Sequence, residues 1–179
     1  MITQMAVGQK KWSFKIKPGI NFATKDFGDT ELKTGFGFEG VFAYKFMPHL
    51  AAYAGWSWNK FSADKSFVGN NVDFEETGYC FGLQFMHPFP NSNISYMIKG
   101  GGTYNHIEAE DSEGKIINDT GHGFGWQAGG GIAIPMGKRW LLIPELRYRS
   151  LSRDIKMNGA TTPVNLNYIS TNVGVSYLF

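Results

Sequence analysis

The sequence predicts an all-β protein, a transmembrane eight-stranded antiparallel up-and-down β-barrel. Apolar and polar residues alternate with a period of two in eight separate segments. The connections between these segments alternate between short turns and longer polar loops. The chain carries 15 Phe, 8 Tyr and 5 Trp, yet no run approaches the roughly 20 consecutive apolar residues of a membrane-spanning helix. Alternating strands are therefore the expected membrane-crossing elements.

Each segment has about the 9 to 11 residues that a tilted strand needs to cross a bilayer. In the first segment, Trp12, Phe14 and Ile16 share one face, whereas Ser13 and Lys15 share the other. The eight predicted strands cover residues 12–22, 36–46, 50–59, 76–85, 94–105, 124–134, 140–149 and 168–179.

The remaining segments repeat this alternation in order along the chain. In the second to fourth segments the apolar face is formed by Phe36, Phe38, Phe42, Tyr44 and Phe46, then Leu50, Ala52, Ala54, Trp56 and Trp58, then Tyr79, Phe81, Leu83 and Phe85. In the fifth to eighth it is formed by Ile94, Tyr96, Ile98 and Tyr104, then Phe124, Trp126, Ala128, Ile132 and Ile134, then Trp140, Leu142, Leu146 and Tyr148, then Ile169, Val173, Val175, Tyr177 and Phe179.

Short and long connections are expected at opposite ends of the barrel. Turns are predicted at 47–49, 87–93 and 135–139, and longer polar loops near 24–34, 61–73, 107–122 and 152–164. Pro18 and Pro144 interrupt two of the predicted strands. A closed barrel has no edge at which a missing N–H is harmless, so each proline predicts a bulge or a local distortion.

Composition narrows the other possibilities. No linker divides the chain, so residues 1–179 are predicted to form a single barrel domain, with a short N-terminal segment 1–9 outside the barrel. The lone Cys80 excludes an intramolecular disulfide framework and a Cys-rich zinc module. With 17 Lys and Arg against 15 Asp and Glu and no basic run, nucleic acid is not an expected partner.

The polar faces carry charged residues that point into the predicted barrel. A soluble barrel with the apolar faces inside is the main competing fold, but eight rows of aromatic side chains would overfill so narrow a tube. With the polar faces inside, these charges are expected to pair across strands, because isolated buried charges are costly. The predicted lumen network comprises Lys15, Lys17, Glu39, Lys45, Glu76, Lys99, Glu145, Arg147 and Arg149.

Aromatic residues near the ends of the strands are expected at the two membrane interfaces. The predicted aromatic girdles contain Trp12, Trp58, Trp126, Trp140 and Tyr148.

Four histidines invite a search for metal sites or catalysis. His106 and His122 bracket an acidic loop whose oxygen and nitrogen atoms could bind a cation, but the spacing matches no specific metal motif. No serine lies close to His122 in the pattern of a hydrolase. We therefore predict no catalytic residues, no metal and no cofactor.

The last strand of the chain resembles the terminal strand of a known protein family. Its last strand closes with alternating Val173, Val175 and Tyr177 and the terminal Phe179. The chain as a whole resembles the small porin-like outer-membrane β-barrels of Gram-negative bacteria, of the OmpA and OmpX type. This resemblance implies periplasmic termini, extracellular long loops, contact with outer-membrane lipid and lipopolysaccharide, and a C-terminal signal for the barrel-assembly machinery at those four residues.

The leading functional hypothesis is a structural or interaction scaffold that displays four extracellular loops and whose interior is plugged by side chains. The alternative is a narrow channel or a lateral-opening transporter for small or apolar solutes. A lipid-modifying enzyme and a soluble ligand-binding barrel are more remote hypotheses. The loop partner is not readable from the sequence.

Overall fold

A computed structural model describes residues 10–157 and 160–179 as an all-β fold, and the predicted segment 1–9 lies outside the described residues. All the paired strands are antiparallel. The strands are β1 (Trp12–Ala23), β2 (Gly35–Lys45), β3 (Leu50–Ser66), β4 (Gly69–Pro88), β5 (Ser95–Glu110), β6 (Ile116–Asp119), β7 (Gly123–Pro135), β8 (Trp140–Met157) and β9 (Ala160–Leu178). Among the described residues, no helix is long and apolar enough to cross a membrane.

Eight strands form the wall of a closed ring. The order β4-β3-β2-β1-β9-β8-β7-β5 is closed by pairing of β4 with β5, and the short β6 pairs with β5 alone. The predicted eight-stranded antiparallel barrel is thus confirmed. The additional strand β6 lies in the third long connection, where the sequence predicted only a polar loop.

Two further long connections are mostly strand, so their prediction as loops was wrong. β3 and β4 form a hairpin that reaches Ser66 and Gly69, across the predicted loop 61–73. β8 and β9 likewise extend through most of the predicted loop 152–164. We call the end of the barrel with these hairpins the hairpin rim and the opposite end the turn rim.

The loop prediction failed at these positions because the polarity of the strands inverts while the period of two continues. On β3, the outward positions change from Trp58 to Lys60, and the inward positions change from Asn59 to the fully buried Phe61. Within one two-residue repeat of the pleat, a strand with an apolar outer face therefore becomes a strand with an apolar inner face.

A belt of exposed apolar side chains surrounds the barrel, as the predicted contact with lipid requires. At the turn rim, Trp12 packs against Tyr44 and Trp140 against Tyr177, with ring centroids 4.7 and 4.8 Å apart. Nearer the hairpin rim the belt includes Trp58, and Trp126 packs against Tyr148 at 5.3 Å. On β7 the belt extends one outward position further, to the exposed Phe124. Val173 and Val175 of β9, and Phe179 just after it, contribute to the same surface.

The two prolines coincide with interruptions of the hydrogen-bonded ladder. The β1–β9 register runs to Ile16 and resumes at Gly19, so that it omits Pro18. The β7–β8 register omits Pro144 in the same way. In the β8–β9 ladder, by contrast, Pro144 is paired with Val173. Because the N–H and C=O of a strand residue point to the same neighbour, each proline disturbs one ladder only. The predicted local distortions are therefore confirmed.

Candidate functional site in the barrel interior

The middle of the barrel interior is filled by charged side chains, which we call the ionic layer. Eight of the nine predicted network residues are buried, and Lys45 lies half-buried at the turn rim. Lys15 and Lys45 both lie outside the ion pairs found among the described residues, and Lys15 instead donates to Oε1 of Gln84 at 3.0 Å. The buried members are Lys15, Lys17, Glu39, Glu76, Lys99, Glu145, Arg147 and Arg149.

Two carboxylates and two lysines form one half of the ionic layer. The Nζ atom of Lys17 lies 2.5 Å from Glu39 and 3.0 Å from Glu145. The Nζ atom of Lys99 lies 3.3 Å from Glu39 and 2.9 Å from Glu145. Each lysine thus bridges both carboxylates, and the strands β1, β2, β5 and β8 are joined across the lumen rather than only through their backbone ladders.

Two arginines form the other half. Arg149 donates to both oxygens of Glu76 at 2.9 and 3.0 Å and to Glu39 at 3.1 Å. Arg147 donates to Glu39 and, at 2.9 Å, to the Ser170 hydroxyl. Glu39 therefore accepts from the cations of both halves and is the centre of the layer. Charge-assisted contacts of this kind are among the stronger hydrogen bonds in proteins.

Neutral side chains satisfy the remaining hydrogen-bonding atoms of Glu76. Asn59 and the Tyr168 hydroxyl each donate to this carboxylate at 2.6 Å, and Asn105 donates to it as well. A buried ion pair is tolerated only when its lone pairs are satisfied in this way. The sequence did not identify these partners.

Glycines leave room for the long charged side chains. At Gly174, an added Cβ atom would lie only 2.8 Å from Cγ of Lys17. A small residue is needed here because the lysine side chain crosses directly over the backbone of β9. Glycine at this position thus has a steric reason.

Above the ionic layer, toward the hairpin rim, the interior is apolar, and we call this the apolar layer. Its aromatic members are tightly packed: Phe61 lies 5.2 Å from Tyr168, and Phe27 lies 5.0 Å from Phe74, ring centroid to ring centroid. Phe27 comes from the first long connection and is completely buried. The layer consists of Phe27, Phe61, Ala63, Val72, Phe74, Ile107, Ala109, Leu151, Val164, Leu166 and Tyr168.

Small apolar clusters close the interior below the ionic layer. One contains Val41, Tyr53 and Cys80, and another contains Met97 and Ile143. Cys80 is a free, buried cysteine, which packs as a small apolar residue. The ionic layer thus has apolar packing on both sides, and surroundings of low dielectric constant strengthen electrostatic contacts.

Arg153 is an inward cation that the sequence prediction missed, because it lies in the segment that was expected to be a loop. Its guanidinium donates to backbone carbonyls, including Asn105 at 3.0 Å and Phe124 at 2.9 Å, and also to the Asn105 side chain. It pairs with no carboxylate among the described residues. Arg153 therefore bridges the apolar layer to the strand backbones of β5 and β7.

The outer surface beyond the apolar belt carries charges instead of aromatic rings. Lys60 lies 2.9 Å from both Asp73 and Glu75 and 3.6 Å from Glu110. Partial burial and the neighbouring Glu75 raise the pKa of the Glu110 carboxyl above its usual value. On β3, the apolar belt ends between the outward residues Trp58 and Lys60.

The fold is similar to the folds of several solved structures. It is similar to Neisserial surface protein A, with a TM-score of 0.66, 12% identity, and coverage of 94% of this chain and 96% of that chain. It is similar to outer membrane protein W of E. coli, with a TM-score of 0.64, 12% identity, and coverage of 95% and 98%. OprG of Pseudomonas aeruginosa gives a TM-score of 0.58, 13% identity, and coverage of 95% and 97%.

No curated protein matches the sequence. The family described as outer membrane protein beta-barrel domain, in contrast, matches residues 1–179. The alternating strands, the closed ring, the apolar belt and this match agree with one another. The chain therefore belongs to the outer membrane protein β-barrel family, the small barrels of the Gram-negative outer membrane.

Proposed function

We propose that this protein is a non-conducting scaffold, a single-domain barrel that anchors its hairpin rim at the cell surface and passes no ions. The observation that carries the proposal is the filled interior, in which the ionic layer and the apolar layer lie one above the other. Eight strands leave a bore that side chains can fill. No catalytic step and no cofactor form part of the proposal.

The two layers oppose conduction in different ways. An ion entering the ionic layer must compete with pairs such as Lys17–Glu39 and Arg149–Glu76, which are already charge-compensated. An ion entering the apolar layer must lose its hydration shell among Phe61, Phe74 and their neighbours, because an apolar constriction excludes water. Opening one layer therefore leaves the other closed.

The orientation is proposed from the same geometry. The two described chain ends lie at the turn rim, because Trp12 donates its backbone N–H to the carbonyl of Phe179. This arrangement fits periplasmic termini and extracellular hairpins. We propose that outer-membrane lipid and lipopolysaccharide surround the belt, and that the barrel-assembly machinery reads Val173, Val175, Tyr177 and Phe179.

Single-channel recording in planar bilayers tests the proposal. Detergent-refolded protein, whose folding is verified by a boiling-dependent shift on SDS gels, is expected to give no resolvable current. The double variant Phe61→Ala, Phe74→Ala is expected to stay silent, because the ionic layer is intact. Adding Arg149→Ala and Glu76→Ala removes only one half of the ionic layer. The pairs of Lys17 and Lys99 with Glu39 and Glu145 and the apolar clusters below them remain, so this variant is also expected to stay silent. Steady current from the folded wild type would refute the proposal.

A second candidate, lateral transport of an apolar solute, is favoured by one specific feature of the wall. The two ladder interruptions flank β8 and β9 and border an apolar groove of about 790 Å³ on the outer surface. Its lining includes Pro18, Pro144, Leu146 and the lumen residue Glu145. Broken ladders make this part of the wall easier to deform.

Uptake of a fluorescent apolar solute into proteoliposomes tests this candidate. If the groove is a passage, Leu146→Trp is expected to slow uptake by filling it, whereas the matched variant Ile98→Trp on β5, outside the groove, is not. Equal uptake by wild type, both variants and protein-free liposomes would remove the candidate.

A further inference from the structure

A histidine and two carboxylates converge on the outer surface just beyond the apolar belt. The Nδ1 atom of His106 lies 3.3 Å from Oδ1 of Asp119 and 3.8 Å from Oε1 of Glu108. One ligand atom from each of the three residues lies within 4.8 Å of the others. All three side chains are accessible from solvent to some degree.

The sheet itself holds these residues together. His106 and Glu108 are two positions apart on β5 and so share its outer face. Asp119 is the direct cross-strand partner of Glu108 in the β5–β6 ladder. Directly opposed residues have Cβ atoms about 5 Å apart. The cluster is therefore built on paired strands and does not depend on the conformation of a free loop.

The atoms and their spacing suit a transition-metal ion. Zn²⁺ binds imidazole nitrogen and carboxylate oxygen at about 2.0 to 2.2 Å, so two ligands at the tetrahedral angle are about 3.3 Å apart. The His106–Asp119 distance has this value already, and the His106–Glu108 distance exceeds it by a shift that a glutamate side chain can make.

Charge favours a cation at the same place. Two carboxylates lie beside the imidazole, and the nearby Lys60 is already engaged by Asp73, Glu75 and Glu110. The ring of His122 stacks on His106 with centroids 4.4 Å apart and an interplanar angle of 12°, which restricts the orientation of the ligand imidazole.

We propose that His106, Glu108 and Asp119 bind one Zn²⁺ ion, with the fourth position open to water or an external ligand. The ion fastens β6, and with it the third long connection, to the barrel wall. The sequence spacing gave no metal motif, because Asp119 reaches the other two residues only when β6 folds back on β5.

A second histidine pair on the barrel serves as a control for the proposed site. His49 and His87 at the turn rim also lie with ring centroids 4.4 Å apart, but their described ring neighbours are Phe85 and Tyr96, with no carboxylate in the contact. If surface histidine pairs alone bound the metal, both pairs would do so equally.

Isothermal titration of Zn²⁺ into the refolded full chain, prepared without a histidine tag, tests the proposal. We expect about one ion per chain, and binding at least about tenfold weaker in His106→Ala, Glu108→Gln and Asp119→Asn, since losing even a group that supports a ligand costs that much. His87→Ala should bind as the wild type does.

Co²⁺ gives a second readout, because its visible absorption in a tetrahedral site should disappear in His106→Ala. Each variant is first checked for folding by the boiling-dependent gel shift. Wild-type protein that binds no Zn²⁺, variants that bind it undiminished, or loss of binding in His87→Ala would each overturn the proposal. The His106–Asp119 contact would then be an ordinary hydrogen bond.

Discussion

The ionic layer and the apolar layer are built from adjacent inward positions of the same strands, yet their chemistry is opposite. On β4, the buried Glu76 belongs to the ionic layer and the buried Phe74, two residues away, to the apolar layer. On β3, Asn59 and Phe61 are separated in the same way. The difference follows the outside of the wall, which is apolar beside the ionic layer and charged beside the apolar layer.

This contrast shows that, at each level along the barrel axis, the wall is apolar on either its inner or its outer face. The surroundings of the outer face determine which of the two it is. Where lipid demands an apolar outside, the polar residues are placed inside and must be paired. Where the outside meets water, the strands revert to the arrangement of a soluble β-protein, with an apolar interior. The two layers should therefore respond differently to substitution.

The largest effect is expected from Glu39→Gln in the ionic layer. This change leaves Lys17, Lys99, Arg147 and Arg149 buried with less negative charge. Breaking a buried ion pair typically costs about 3 to 5 kcal/mol of unfolding free energy. Urea unfolding in detergent, followed by tryptophan fluorescence, measures the loss, and Glu113→Gln in an exposed turn is the control. Equal stability of the two variants would contradict the assigned role of the network.

A somewhat smaller loss, of about 3 kcal/mol, is expected from Phe61→Ala in the apolar layer, because it leaves a cavity beside Tyr168. Phe89→Ala in an exposed turn is the matched control. The same unfolding experiment at 0.1 and 1 M NaCl distinguishes the layers further. The loss in Phe61→Ala should not fall with added salt, and a loss that vanished in high salt would argue against dispersion and apolar burial as its origin.

Arg153→Met is expected to cost about 1 to 2 kcal/mol, less than either change above. The methionine keeps the apolar packing but removes the hydrogen bonds to the carbonyls of Asn105 and Phe124. Hydrogen exchange of β5 and β7 amides near these carbonyls should increase locally. A loss as large as that of Glu39→Gln would mean that Arg153 belongs energetically to the ionic layer.

The smallest effect is expected from Lys33→Ala. Its ion pair with Asp64 measures 2.5 Å, but the two side chains are 55% and 71% exposed. Exposed pairs contribute little, because water and salt already screen them. The urea midpoint should not change measurably, and a clear decrease would indicate that Lys33 holds the first connection over the apolar layer.

Sequence alternation was sufficient to predict the membrane-crossing part of the barrel. Trp12, Phe14 and Ile16 against Ser13 and Lys15 is a pattern that only a half-apolar strand satisfies. The register of the wall, and so the partners of Glu39, could not be read in this way. They depend on which strand ends meet across the lumen, and Lys17 and Glu145 are separated by 128 positions.

The apolar layer was missed for a different physical reason. Residues such as Lys60, Ser62, Asp64 and Asp73 give their segment a polar composition that is typical of loops. The interspersed Phe61, Ala63, Val72 and Phe74 were nevertheless a visible signal of period two. If the apolar face is allowed to change from the outer to the inner side, the same pattern predicts β3 and β4 out to their observed hairpin.

The pairing of β1 with β9 also has a kinetic meaning. Ser13 lies opposite Leu178 and Phe22 opposite Ile169, so the closing ladder joins residues from the two ends of the described chain. All the other wall pairs follow one another along the sequence and can form as hairpins. Contacts of such long sequence separation form slowly, because the loop-closure entropy is lost before any contact compensates for it. Closure is therefore expected to be the last and slowest event in assembly, and until it happens both edge strands can pair with other chains.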